Sequence, residues 1–239
     1  MFSIVYLYLF GMLRFSPGLF RDKIDRKRVS IIKKVIFDKW SQEYDTTVCK
    51  NEFPFIGYEK IKNEIIQSCE IDHSTQILDI GVGTGNFMQE FYSRNAQCYG
   101  LDFSEKMIEI AASKMPSAYL IQHDLNNKGV PVEFERAKFS VIVSAYVFHH
   151  FRPEKRNQLI DSYLKLLKKE DGRLFLVDIS FRTQREHDAC REKYADEWDS
   201  TEFYLIAEEL CSVFKEAEYT QFSECGGLYS WDVKTKQVE

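Results

Sequence analysis

The chain has 239 residues, of which 44% are hydrophobic and 29% charged, and its net charge is −5. That length and composition fit one α/β domain with a large core and exclude wholesale disorder. A duplex-binding surface is ordinarily basic, so no nucleic-acid partner is expected. The six cysteines, at 49, 69, 98, 190, 211 and 225, form no C-x-x-C pair and lie at no ligand spacing from a histidine. They read as reduced thiols of a cytoplasmic protein, and no metal site is expected.

In chain order, "FSIVYLYLFGML" comes first. It is too short to span a bilayer and lacks the flanks of a secretory signal. The basic run "RDKIDRKRVSIIKK" follows it. Residues 1–34 are therefore set apart as an apolar and basic extension, able to make weak peripheral contact with an anionic membrane. A helix is predicted over Ser30–Glu43, broken at "YDTTV", and another over about Ile56–Cys69. Residues 35–72 thus form an N-terminal helical lid. From Gln76 short apolar runs alternate with amphipathic helices, the pattern of βαβ units and a parallel sheet. Strands are predicted at 76–80, 97–101, 118–122, 139–144 and 173–179, with helices starting near Asn86, Ser104 and Pro153. Ser104 suits a helix cap and Pro153 a first helical turn. The polar segment 182–201 reads as a substrate cover, with Arg182, Arg185 and His187 as contacts. A helix over Glu202–Glu216 precedes two strand-like runs, "YTQFSE" and "LYSWDVKT", joined through Cys225-Gly226-Gly227 as an antiparallel hairpin.

The chemistry concentrates in "QILDIGVGTGNF", where Gly81, Gly83 and Gly85 occupy the turn between a strand and a helix. Glycines there let the main chain approach a ligand closely. The spacing is not the G-x-G-x-x-G of a dinucleotide site. Asp79 stands two residues before the first glycine, and a carboxylate there repels a pyrophosphate but attracts an ammonium or sulfonium. That favours S-adenosylmethionine (SAM) over a nicotinamide cofactor. Asp102, ending the second strand, is placed to accept ribose hydroxyls, with Phe103 packing on adenine. Asp124 and Leu125 follow the third strand, suited to the adenine amino group and ring.

These motifs, with "GLDFS", "HDL" and "FSVIVSAYVFHH", resemble those of the class I SAM-dependent methyltransferases from about Val35 onward. The opening "FDKWSQEYDTTV" and the strand end "DISFR" are similar to the YrrT-like small bacterial methyltransferases. The resemblance implies a Rossmann-like fold: a mostly parallel seven-stranded sheet with a C-terminal antiparallel hairpin and helices on both faces. It implies an SN2 transfer of the SAM methyl to a small-molecule acceptor. It also implies cofactor contacts from Trp40, Tyr44 and Ser144. Acceptor chemistry is expected at the end of the fourth strand, where Tyr146, His149 and His150 stand and either histidine could act as a base, His149 first. Asp178, ending the fifth strand, could orient a histidine. Two other readings stay open: a SAM-binding regulator without turnover, and a lipid or quinone methyltransferase at the membrane.

Overall fold

The computed structural model describes residues 34–126 and 128–233. The sheet is assembled from β1 (Gln76–Ile80), β2 (Gln97–Asp102), β3 (Tyr119–Gln122), β4 (Val141–Ala145), β5 (Arg173–Phe181), β6 (Leu205–Ile206), β7 (Glu218–Gln221) and β8 (Gly226–Asp232). Its order is β3-β2-β1-β4-β5-β8-β7, with β6 paired to β5. The first five strands run parallel, and β8 lies antiparallel between β5 and β7. After Gln76 every residue of β1 is buried. Continuous burial, rather than alternation, marks a strand covered on both faces.

The helices are α1 (residues 34–40), α2 (Tyr44–Val48), α3 (Tyr58–Ser68), α4 (Met88–Ser93), α5 (Glu105–Lys114), α6 (Pro153–Leu164), α7 (Gln184–Lys193) and α8 (Ala207–Val213). One apolar layer joins Ile61 and Ile65 of α3, Phe91 of α4 and Ala111 of α5 to one sheet face. The other joins Leu159, Ile160 and Tyr163 of α6 and Leu210 of α8 to the opposite face. The chain leaves β1 toward β2 and β3, then crosses back to place β4 on the other side of β1. That reversal opens a crevice at the carboxyl ends of β1 and β4, where open α/β sheets bind ligands.

Four local expectations change. "YDTTV" is helical (α2) instead of a break, and Val48 is buried at its end. The sheet gains an eighth, two-residue strand, because Leu205 and Ile206 pair with Ser180 and Phe181. That pairing delays the following helix to Ala207. Gly226 and Gly227 lie within β8, not in the hairpin loop. A Cβ on Gly227 would meet the Tyr219 ring at 2.5 Å, so close strand-to-strand approach explains the glycine. Within the segment 182–201, expected to cover the substrate, α7 is a regular helix, capped by Thr183, whose Oγ1 accepts from the Glu186 amide at 3.2 Å. Among the described residues no helix is long and apolar enough to cross a membrane. The expectations for residues 1–33, membrane contact included, lie outside the described residues.

Candidate active site

The glycine turn begins where β1 ends. Gly81, Gly83 and Gly85 all have positive φ, at 76°, 53° and 79°. The three are not equivalent. A Cβ on Gly81 would lie 2.3 Å from Val147 Cγ2, so the turn packs tightly against the segment after β4. A Cβ on Gly83 would approach nothing closer than 4.0 Å, the Tyr44 ring among its neighbours. The space beside Gly83 is thus open cleft. A Cβ on Gly85 would strike Met115 Cε at 2.6 Å. Gly85 faces the end of α5, and its small size serves helix packing.

The cleft beside this turn has an empty volume of about 730 Å³, its open mouth included. Gly81, Gly83, Asp102, Phe103, Asp124 and Leu125 line it. A smaller adjoining recess shares Tyr44, Gly81 and Ala145 and reaches Asp79 and Asn86. Asp102 Oδ2 accepts from the Gly83 amide at 3.0 Å, and Oδ1 accepts from the Ser104 amide at 2.8 Å. Burial pushes its carboxyl up to about 6, against the pull of those amides. Asp79 is 1% exposed, and its Oδ1 has no hydrogen-bond partner. Burial, reinforced by the Asp102 charge, pushes Asp79 up to about 8. Among the described residues no lysine or arginine pairs with either carboxylate. A buried carboxylate left without a cation is costly, so this recess suits a positive group that the described residues do not supply.

Helices α1 and α2 are fastened to the same elements by two acids. Asp38 of α1 accepts from Ser104 Oγ at 2.5 Å and from Lys34 at 2.8 Å. Asp45 of α2 accepts from Thr84 Oγ1 at 2.5 Å and pairs with Lys114. Burial opposes the ionised form of Asp45, but Lys114 and Thr84 outweigh it and the carboxyl is lowered. Phe37 of α1 spans the cleft mouth, with ring centroids 5.2 Å from Phe103 and 5.7 Å from His150.

The far end of the cleft is formed after β4. Tyr146 has φ 59°, unusual for a bulky residue and a strain of about 1–3 kcal/mol. Its amide donates to Val177 O at 2.8 Å, which fixes it beside β5. Its hydroxyl is buried without a hydrogen-bond partner. His150 lines the cleft, and its Nδ1 lies 2.8 Å from Glu202 Oε2. His149 sits behind it, with ring centroids 4.1 Å apart and Nδ1 2.5 Å from Asp178 Oδ1. Asp178 Oδ2 accepts from the amides of Phe148 and His149 at 2.8 and 3.1 Å. The acid therefore orients His149.

A family model described as a methyltransferase domain matches residues 77–170, the span from β1 to the end of α6 and just beyond. A protein described as an uncharacterized methyltransferase, from Geobacillus sp. (strain WCH70), is 30% identical over 197 residues, covering 77% of this chain and 88% of that one. This chain belongs to the methyltransferase family. Among solved structures, the DhpI-SAM-HEP complex superposes with a TM-score of 0.62 at 13% identity, covering 87% of this chain and 99% of that one. The N-methyltransferase NodS from Bradyrhizobium japonicum, in complex with S-adenosyl-L-homocysteine, gives 0.61 at 15% identity, covering 83% and 97%. At such identities the likeness is one of fold.

In this methyltransferase four expected site residues stand off the cleft. Gly85 packs on α5, as described above. Ser144 is buried, and its Oγ donates to Ile80 O at 2.8 Å, tying β4 to β1. Trp40 packs edge-on against Tyr44 at 4.8 Å. His149 is turned toward Asp178. Tyr44, Tyr146 and His150 are brought to the cleft. Sequence reading missed Phe37, Val147 and Glu202. The neighbouring glycines gave no warning of Val147. Glu202 stands 52 residues from its histidine, beyond any local pattern.

Proposed function

We propose that this methyltransferase moves the methyl group of SAM to a small-molecule acceptor inside the cleft. The observation that carries the reading is the buried, cation-free pair Asp79 and Asp102 flanking the glycine turn. An adenosyl compound bearing an ammonium and a sulfonium meets that charge. Asp79 and Asn86 would face its amino-acid end, Gly81 and Gly83 its backbone-approached middle. Asp102 would hold the ribose, with each carboxylate oxygen already oriented by one amide. Phe103, Asp124 and Leu125 would enclose the adenine. When bound, SAM supplies a methyl on a positively charged sulfur, already electrophilic.

The chain's own task is alignment and exclusion of water, which in favourable cases accounts for about 7–11 kcal/mol of the barrier. Phe37 and Tyr44 close the mouth over the cofactor side. Tyr146 and His150 stand at the acceptor end, offering a buried hydroxyl and an imidazole to an acceptor O–H, N–H or S–H. The net charge of −5 and a cleft roofed by aromatic rings favour a small acceptor over a nucleic acid.

Calorimetry with SAM and with S-adenosylhomocysteine tests the reading, with micromolar binding of both expected. Asp102→Ala should weaken binding about 10–100-fold with the fold intact by circular dichroism, since hydrogen bonds to a charged group are lost. No heat from folded wild-type protein with either ligand would refute the assignment.

A further inference from the structure

The acceptor end carries more than a pair of histidines. One nitrogen each of His149 and His150 and one carboxylate oxygen of Glu202 lie within 4.8 Å of one another. We propose that these three side chains form a binding site for a divalent transition-metal ion, of which zinc is the type, beside the end of the cleft that His150 lines. The site's existence does not depend on the methyl-transfer reading. Its role, holding an acceptor through a hydroxyl or thiol, rests on that reading.

Two imidazoles and one carboxylate are a donor set suited to zinc and its neighbours, and three protein ligands leave a position for water or substrate. Donors on one tetrahedral ion stand roughly 3.3–3.5 Å apart, given bonds of about 2.0–2.2 Å. The present cluster, with its donor atoms within 4.8 Å of one another and a His150–Glu202 contact of 2.8 Å, brackets that spacing. The side chains are withdrawn from solvent, at 5% exposure for His149, 17% for His150 and 8% for Glu202. Their supports are rigid. Asp178 faces His149 Nδ1, and the tautomer that pairs Nδ1–H with a carboxylate carries its lone pair on Nε2, the arrangement commonly found behind metal-bound histidines. The loop bearing Glu202 is fastened twice: the Phe203 amide donates to His149 O at 2.7 Å, and Arg156 donates to Phe203 O at 3.1 Å. Two carboxylates are thus buried around two imidazoles. The buried guanidinium of Arg156, near Asp178, offsets one of them.

An acceptor hydroxyl or thiol bound to the ion gives its proton to solvent. Its lone pair then forms the bond to the methyl carbon, and the carbon–sulfur pair returns to sulfur as a thioether. Only His150 of the three lines the cleft, so the acceptor reaches the ion past His150.

The test uses the full chain, stripped with a chelator and titrated with Zn²⁺ by calorimetry and with Co²⁺ by visible absorption. One equivalent should bind, with tetrahedral or five-coordinate cobalt bands and no thiolate charge-transfer band. Acetohydroxamate, a bidentate oxygen ligand, should shift those bands. Glu202→Gln should weaken metal binding about 100-fold or more while S-adenosylhomocysteine binding is retained, and Asp178→Asn, if folded, about 10–100-fold. No metal uptake, a thiolate band, or uptake unchanged in Glu202→Gln would overturn the site. Bands indifferent to acetohydroxamate would overturn the acceptor role. Loss of adenosyl-ligand binding in the wild type, with metal still bound, would instead sink the methyl-transfer reading and leave the site standing.

Discussion

The two ends of the cleft are built differently. The proposed cofactor end takes its groups from consecutive strand ends: the turn after β1, Asp102 closing β2, and Asp124 after β3. Its precision comes from backbone, through positive-φ glycines and amides aimed at a carboxylate. The proposed acceptor end takes its groups from distant segments, with His150 after β4, Asp178 on β5, and Glu202 on the loop before β6. Its precision comes from side chains bonded to one another. A backbone-built end should break under any added atom. An end built from side chains should respond to changes of chemistry at constant shape.

The largest expected effect lies in the backbone-built end. Gly81→Ala places a Cβ 2.3 Å from Val147 Cγ2 at φ 76°. Left-handed strain and overpacking together should cost about 2–4 kcal/mol. Urea denaturation measures the loss. Gly129→Ala, with nothing within 4 Å of its Cβ, serves as control and should stay within about 0.5 kcal/mol of wild type. If both variants are equally stable, the turn is not held against Val147 as described.

Electrostatics at the same end gives an intermediate effect with a definite sign. Asp79 is raised to about 8 and Asp102 to about 6, both from the ordinary aspartate value of 3.8. Between these limits the folded state keeps protons that the unfolded chain has released. The stability of the ligand-free protein should therefore fall as pH rises from about 4 to 8. Asp79→Asn should remove most of that slope, seen as a melting temperature that changes less between pH 5 and 8. Affinity for a cationic adenosyl ligand should run the other way and rise across the same range, because ionised Asp79 is the form that attracts it. A wild-type melting temperature that climbs steadily from pH 5 to 8 would contradict a buried, uncompensated acid.

This contrast also explains what could be read from the chain alone. The parallel sheet, the glycine turn and the acids Asp79, Asp102 and Asp124 were legible because each occupies a fixed offset from a strand that announces itself by an apolar run. The hairpin was legible, but the placing of Gly226 and Gly227 inside β8 was not, since that depends on the Tyr219 ring across the ladder. Gly85 and Ser144 fit the ligand pattern in sequence yet serve packing and a β4-to-β1 bond. Nothing in one dimension separates a glycine that clears space for a ligand from one that clears space for Met115. The helical α2 followed the same logic: its turn is held by Asp45 reaching Thr84 and Lys114, 39 and 69 residues away. Asp178 was expected to orient a histidine, and the fold selects His149; Glu202 found its histidine only through tertiary structure.

The smallest effect is expected in the end built from side chains, and it separates stability from function. Tyr146 holds a strained backbone angle, and its hydroxyl is buried with no partner. Its ring packs on Phe55 at 4.8 Å and on Tyr58 at 5.8 Å, so the aromatic body is already accounted for by the core. The hydroxyl is not. Tyr146→Phe keeps the ring and deletes only the oxygen. Removing an unsatisfied buried polar group should stabilise the ligand-free protein by about 1 kcal/mol, a rise of about 2–4 °C in melting temperature. On the proposed acceptor role of the hydroxyl, the same change should slow methyl transfer while leaving adenosyl-ligand affinity near wild type. A variant that is less stable than wild type would show that the hydroxyl has a partner in the resting protein. A variant that is more stable and fully active would show that the oxygen serves neither the core nor the acceptor.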